Sequence, residues 1–227
     1  MASPLDRQSP PEQRKSRVDD EHLSKPPIVL VETAFLASAT SLLWLLSYYF
    51  PSIPLFKVFF PIPISLIYLR WGNRAGWMTA LVSGLLLSVL MGPARSISFV
   101  IPYGLIGVQL GACWRRRANW LTSISLGALI ECLGVFFRFW LTSLLLGEDL
   151  WLYSIARIRD LCEWVFGQLG ILAEPNLLVI QIVTISLILV GNFFYLFVVH
   201  LVALLMFERL GNPIPKQPAW VDTLLDL

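Results

Sequence analysis

Apolar residues gather along the chain in long runs separated by short polar turns. Six runs read as helices: Ile28–Phe50, Pro54–Leu69, Ala75–Met91, Ile97–Trp114, Trp120–Leu146 and Leu177–Phe207. Several approach the ~20 residues that cross a bilayer core. The second is the exception. At the helical rise it falls short of the hydrocarbon thickness, and Pro61 and Pro63 each withdraw a backbone donor. Within a membrane such a break is tolerated only where protein or a water-filled cavity covers it. It is therefore either a proline-started helix after a loop or the wall of a cavity. The sixth run is long enough to tilt or to protrude.

The connection from Gly147 to Asn176 has a different pattern. Trp151, Ile155, Ile158, Leu161, Cys162, Val165 and Phe166 recur with a helical period, and Arg157, Arg159, Asp160 and Glu163 fill the gaps. This predicts an amphipathic helix on a membrane surface, as an interfacial anchor or as a lid. The ends, residues 1–27 and 208–227, are polar. The first reads as a flexible, proline-rich tail without the apolar core of a secretory signal. The fold class that follows is all-α: a polytopic membrane bundle of about six transmembrane helices, residues 28–207, with a surface helix between the fifth and sixth.

Composition supports a chain whose main partner is the lipid bilayer. Of its 227 residues 56% are hydrophobic and only 14% charged, against about a quarter charged in soluble domains. A net charge of +2 gives no reason to expect nucleic acid as a partner. Cys113, Cys132 and Cys162 form no C-x-x-C pair and read as buried small hydrophobes. With two histidines, His22 and His200, a zinc, haem or iron–sulfur site is not expected, and no cofactor is. With the N-terminus inside, 12 Lys and Arg fall on the inner side and 4 on the outer, with Arg138 within a span. That bias predicts both termini in the cytoplasm, in a cell membrane or a thylakoid membrane.

The chemistry to explain lies in the fifth span. Glu131 and Arg138 are seven residues apart, so they share one helix face, about 10.5 Å apart along the axis. The lean of helical side chains turns Arg138 back toward Glu131. A direct pair is a stretch, with room for a water or ligand between them. Charges at this depth face a bundle interior, either as a clamp between helices or as a ligand site. Asn192 and Gln181 on the sixth span lie at compatible depths. Glu32 lies about one turn inside the inner boundary, and His200 reads as a hydrogen-bonded core residue. On the first span Thr33, Ala37 and Ser41 form one row of small residues and Ala34 and Ser38 another. Such rows admit close approach of another helix, internal or from another subunit. Gly104, Gly107 and Gly111 smooth the fourth. An enzyme is not expected. There is no H-E-x-x-H and no aspartate in the spans, and nothing singles out a serine for His200.

The run ETAFLASATSLLWLLSYYFPSIPLFKVFFPIPISLIYLRWGNRAGW, continued by SGLLLSVLMGPARS and PYGLIGVQLGACWRR, resembles the YybS-like family of uncharacterised membrane proteins. That family is similar in layout to the substrate-binding S components of energy-coupling-factor transporters. The resemblance implies a solute-binding subunit that docks, through small residues of its first helix, on a transmembrane coupling subunit served by ATPases. The docking residues would be Ala34, Ala37, Ser38 and Ser41, although Ser38 departs from the A-x-x-x-A form. On this reading Glu131, Arg138, Gln181 and Asn192 would line the pocket for a small-molecule solute. The chain has no G-x-x-x-x-G-K-[ST], so ATP coupling would come from partners. The alternative is a scaffold or assembly factor for another membrane complex, with the intramembrane charges as clamps.

Overall fold

A computed structural model of the chain describes residues 11–51, 56–168 and 176–211, with residues 11–26 as backbone only. The described residues are all-helical: α1 (Pro11–Tyr49), α2 (Phe56–Phe59), α3 (Pro61–Trp71), α4 (Asn73–Met91), α5 (Pro93–Phe99), a π-helical turn (Val100–Gly104), α6 (Leu105–Arg115), α7 (Trp120–Leu146), α8 (Leu150–Gln168) and α9 (Leu177–Arg209). Among them, five segments are long and apolar enough to cross a membrane: Pro27–Tyr49, Asn73–Met91, Pro93–Arg115, Trp120–Leu146 and Leu177–Arg209.

The second predicted span is corrected. It falls on α2 and α3, and α3 has only 11 residues, about 16 Å of helix. Every residue from Pro61 to Tyr68 is buried, so α3 is a core helix wrapped by protein. Its apolar sequence is as suited to that as to lipid. Pro61 opens it at the first turn, where a missing N–H costs nothing. The apolar span of the first helix begins at Pro27. Residues 11–27, read as flexible tail, continue the helical backbone of α1, which starts at a proline followed by good helix formers. Residues 1–10 and 212–227, the rest of the two tails, lie outside the described residues.

Glycine brings α6 against α3. A Cβ on Gly107 would stand 2.7 Å from Ile64 Cβ, and one on Gly111 would stand 2.4 Å from Tyr68 Cβ. Only a bare Cα permits that approach. The α1–α4 seam uses hydroxyls. Ser41 Oγ lies 3.1 Å from the Ser83 carbonyl and Ser83 Oγ lies 3.1 Å from the Ala37 carbonyl, while each hydroxyl also reaches back along its own helix. Such cross-helix bonds hold helices together where there is no water to compete.

Contacts at the two ends fix the course of the chain. At one end Glu32 pairs with Arg70 and accepts from Trp71 Nε1 at 2.6 Å. There too Arg115 donates to the Tyr68 carbonyl, and Trp114 packs edge-on against Phe207. At the other end Arg95 donates to Tyr48 Oη at 2.8 Å. Glu32, at the start of the α1 span, and Phe207, near the end of α9, thus lie at the same end of the bundle. So do Arg70, Arg74 and the turn Arg115–Arg117. That turn is a Schellman closure, with Ala118 N–H bonded to the Cys113 carbonyl and Arg117 N–H to that of Trp114. Arg117 takes the left-handed position, at φ 54°.

Candidate functional site

The predicted break at Pro61 has a partner. Proline 61 has no N–H to return to the Lys57 carbonyl four residues back. That carbonyl instead accepts Tyr195 Oη from α9 at 2.9 Å, together with a longer bond from Phe60 N. A second proline shapes the other wall. Pro102 sits in the π-helical turn and packs on α7, where a Cβ on Gly134 would fall 2.5 Å from Pro102 Cβ. The bare glycine and the widened turn together bring Tyr103 to the face of α7 that carries Gly127, Glu131, Gly134 and Arg138. Short π-helical turns of this kind recur at functional positions.

Glu131 and Arg138 meet directly there. Arg138 Nη2 lies 3.3 Å from Glu131 Oε1, and Arg138 Nη1 donates to Tyr103 Oη at 3.3 Å. No water or ligand is needed to bridge the two charges, contrary to expectation, because the backward lean of the arginine closes the rise between them. The Glu131 side chain is 5% exposed and that of Arg138 33%, so the carboxylate is sealed while the guanidinium keeps an open side. Behind Tyr103 stands an aromatic wall. Its ring lies 5.2 Å from Phe60, 5.4 Å from Trp44, 6.4 Å from Phe99 and 6.5 Å from Tyr195.

The antiparallel α7–α9 pair has a clear register. Ser123 meets His200, and Gly127 meets Leu196 one turn further on. The next step sets Glu131 level with Asn192. Glu131 Oε2 and Asn192 Nδ2 are both buried and both without a hydrogen-bond partner. An acceptor and a donor left unsatisfied at one level inside a bundle are costly unless a further group joins them. Gln181 does not belong to this core. It lies exposed near the N-terminal end of α9.

His200 occupies a second, separate polar point. Nδ1 lies 2.8 Å from the Leu196 carbonyl, which can only accept, so Nδ1 carries the proton. Nε2, 3.0 Å from Ser123 Oγ, then accepts from that hydroxyl. Trp114 and Trp120 pack their rings at 5.3 and 5.4 Å. Both His200 and Ser123 are fully buried, as expected for a histidine bonded into the core.

The small residues of α1 divide. Ala37 and Ser41, with Thr33, are buried, and Ala37 and Ser41 lie on the seam with α4. In this arrangement they are not available to another subunit. Ala34 and Ser38 are exposed, and Ser38 Oγ donates back to the Ala34 carbonyl at 2.9 Å. Sequence reasoning missed Tyr103, Tyr195 and Ser123. The only prior sign of Ser123 is its spacing of four and eight residues from Gly127 and Glu131. Neither tyrosine stands out in an aromatic-rich run.

The predicted amphipathic helix is present as α8, anchored by the buried Ile155. Among the described residues no group of three or more His, Cys, Asp or Glu is placed to hold a metal ion. No curated protein and no solved structure matches the chain. One family, described as predicted membrane protein (DUF2232), matches over residues 38–224. With five apolar helices of spanning length and that match over most of its length, the chain belongs to the DUF2232 family of membrane proteins.

Proposed function

We propose that the protein is the solute-binding subunit of a membrane transport system, similar to the S components of energy-coupling-factor transporters and to the YybS-like proteins. The observation that carries this reading is the mid-bundle core. There Glu131 Oε2 and Asn192 Nδ2 lack partners beside a guanidinium with an open side and an aromatic wall. Arg138 would take an anionic or strongly accepting group of the solute, and Glu131 would orient Arg138 and accept a donor. The rings of Tyr103 and Trp44 would cover an apolar portion. Such a mix of apolar walls and a few convergent polar groups is typical of small-molecule sites. The exposed pair Ala34 and Ser38 is the part of the α1 small-residue face that remains free for a transmembrane coupling subunit. Energy would come from ATPases bound to that partner. No catalytic role is proposed.

The orientation that fits is the one with both termini in the cytoplasm. Arg70, Arg74, Arg115, Arg116, Arg117 and Arg209 gather at one end of the bundle, the excess that favours the inner side of a cell or thylakoid membrane.

A second reading has its own support. Arg138, paired with Glu131 on its own helix, also donates across to Tyr103 of the π-helical turn at 3.3 Å, and such a cross-helix bond is what a clamp in a scaffold protein requires. Native mass spectrometry of the protein, gently extracted from its own membrane, separates the two. The transport reading expects a bound small molecule on the wild type that is lost from Arg138→Ala, with ATPase-linked subunits on both. A wild type that carries no small molecule but holds an unrelated membrane complex, with Arg138→Ala altered only in stability, would overturn it.

A further inference from the structure

The outer end of α7 holds a feature that the mid-bundle core does not use. Gly147 ends the helix in the left-handed conformation, φ 72°, with its N–H on the Ser143 carbonyl. That turn folds Glu148 and Asp149 back beside the helix end, and α8 starts at once. The result is a cleft of about 550 Å³ between α7 and the first turn of α8. Phe136, Phe139, Trp140 and Trp151 form its walls, with Trp151 ring centroids 5.4 Å from Phe136 and 6.1 Å from Phe139. Glu148 and Asp149 form its rim, and none of its lining residues is basic.

The polar groups of the cleft are few and partly engaged. Asp149 Oδ1 accepts the N–H groups of Trp151 and Leu152, capping α8, and Ser143 Oγ accepts that of Leu150. The second oxygen of Asp149 and the Glu148 carboxylate remain. The carbonyl end of the 27-residue α7 adds partial negative charge. The free carboxylate oxygens thus stand on the rim alone, while the four rings of the walls offer negative faces and no hydrogen-bond acceptor. A metal ion or a primary ammonium seeks oxygens on several sides, which rings do not supply. A quaternary ammonium needs none. Its methyl groups suit apolar walls, and its diffuse charge is attracted to aromatic faces and to carboxylates.

We infer that the cleft between the outer end of α7 and the start of α8 binds a quaternary ammonium group, seated against Trp140 and Trp151 and held by Glu148 and Asp149. The group could arrive as a free solute or as the headgroup of a lipid in the outer leaflet. The test uses the full chain in maltoside micelles, titrated with choline and with its neutral isostere 3,3-dimethylbutan-1-ol, and read by tryptophan fluorescence and thermal shift. Saturable choline binding is expected, with the isostere about fivefold weaker, the factor a solvent-exposed cation–aromatic contact supplies. The pair Glu148→Gln and Asp149→Asn keeps the α8 cap, because the Asn side-chain oxygen still accepts. It should weaken choline by a similar factor and leave the isostere unchanged. Nanodiscs identify the source. Phosphatidylcholine discs that block free choline, where phosphatidylglycerol discs do not, indicate a lipid headgroup, and equal titration in both indicates a free solute. Equal affinity for choline and the isostere, or choline binding unaffected by the carboxylate substitutions, would overturn the inference and leave only an apolar interfacial anchor.

Discussion

Apart from α1, whose apolar window is only 22% buried, the helices before the basic turn and those after it are built on different terms. Between Pro93 and Arg115, 56% of the most apolar window is buried inside the protein. For Trp120–Leu146 and for Leu177–Arg209 the share is 17%. Yet the latter two are the more apolar helices. In a soluble protein the most apolar elements are the most deeply buried. Here lipid is the less polar solvent, so apolarity follows exposure to it, and burial selects small residues that let backbones meet. The first region is a scaffold closed around α3 by glycine and serine. The second is a loosely covered pair that brings Glu131 and Arg138 to the scaffold's aromatic wall. The candidate site lies where the two regions join, and its polar chemistry comes mostly from the looser one.

The largest effect expected is on that join. Glu131→Leu removes the partner of Arg138 and leaves a guanidinium two-thirds buried. Loss of one member of a buried pair costs about 3–5 kcal/mol, and the open side of Arg138 reduces this to about 2–3 kcal/mol. Thermal unfolding in detergent measures it. Adding Arg138→Leu should recover most of that loss, because an apolar pair of similar volume needs no charge compensation. A double variant that is stable but binds no solute would mean the ion pair serves binding. A double variant as unstable as the single one would mean that Arg138 holds the fold through Tyr103 rather than through Glu131.

Next comes a contrast between two glycines. Gly111→Ala drives a Cβ into Tyr68 Cβ and to 3.1 Å from the Ser65 carbonyl, whereas a Cβ on Gly191 of α9 meets nothing within 4 Å. The first should lower stability by about 1–3 kcal/mol, as overpacking does, and the second should raise it by up to about 1 kcal/mol, the gain of Ala over Gly inside an open stretch of helix. Equal effects in a chemical-denaturation series would remove the distinction between a tight scaffold and a loose pair.

Much of this division is readable from the sequence, and the unread part has a physical cause. Run length marks the long helices, the heptad spacing sets Glu131 and Arg138 on one face, and the period of Trp151 to Phe166 marks α8. The failure at α3 arises because a helix buried in protein and one facing lipid are both apolar. Hydropathy cannot part them, although Pro61 and the limited length already hinted at the difference. The small residues of α1 show the same limit. The rows Thr33–Ala37–Ser41 and Ala34–Ser38 are alike in sequence, and only the position of α4 decides which is covered. Tyr103 and Tyr195 were invisible because their roles depend on distant backbone events, the turn at Pro102 and the carbonyl freed by Pro61.

The smallest effect tests what closes the scaffold. Ser41 and Ser83 each reach the partner helix's backbone, at 3.1 Å in both directions. Each hydroxyl also has a carbonyl of its own helix within 2.9 Å. Removing one hydroxyl therefore leaves no buried donor unpaired, and the lost cross-helix bond is partly replaced in the unfolded chain within the membrane. Hydrogen bonds between membrane helices average about 0.6 kcal/mol for this reason. Ser41→Ala and Ser83→Ala should each cost about that much. Because the two hydroxyls share the Ala37 carbonyl, the double variant should depart from additivity by about 0.5 kcal/mol, the low end for residues with a common partner. A coupling well above this would show that the two hydroxyls act as one unit. The closeness of α1 and α4 would then come from their hydrogen bonds, with the small size of Ala37, Ser41 and Ser83 secondary.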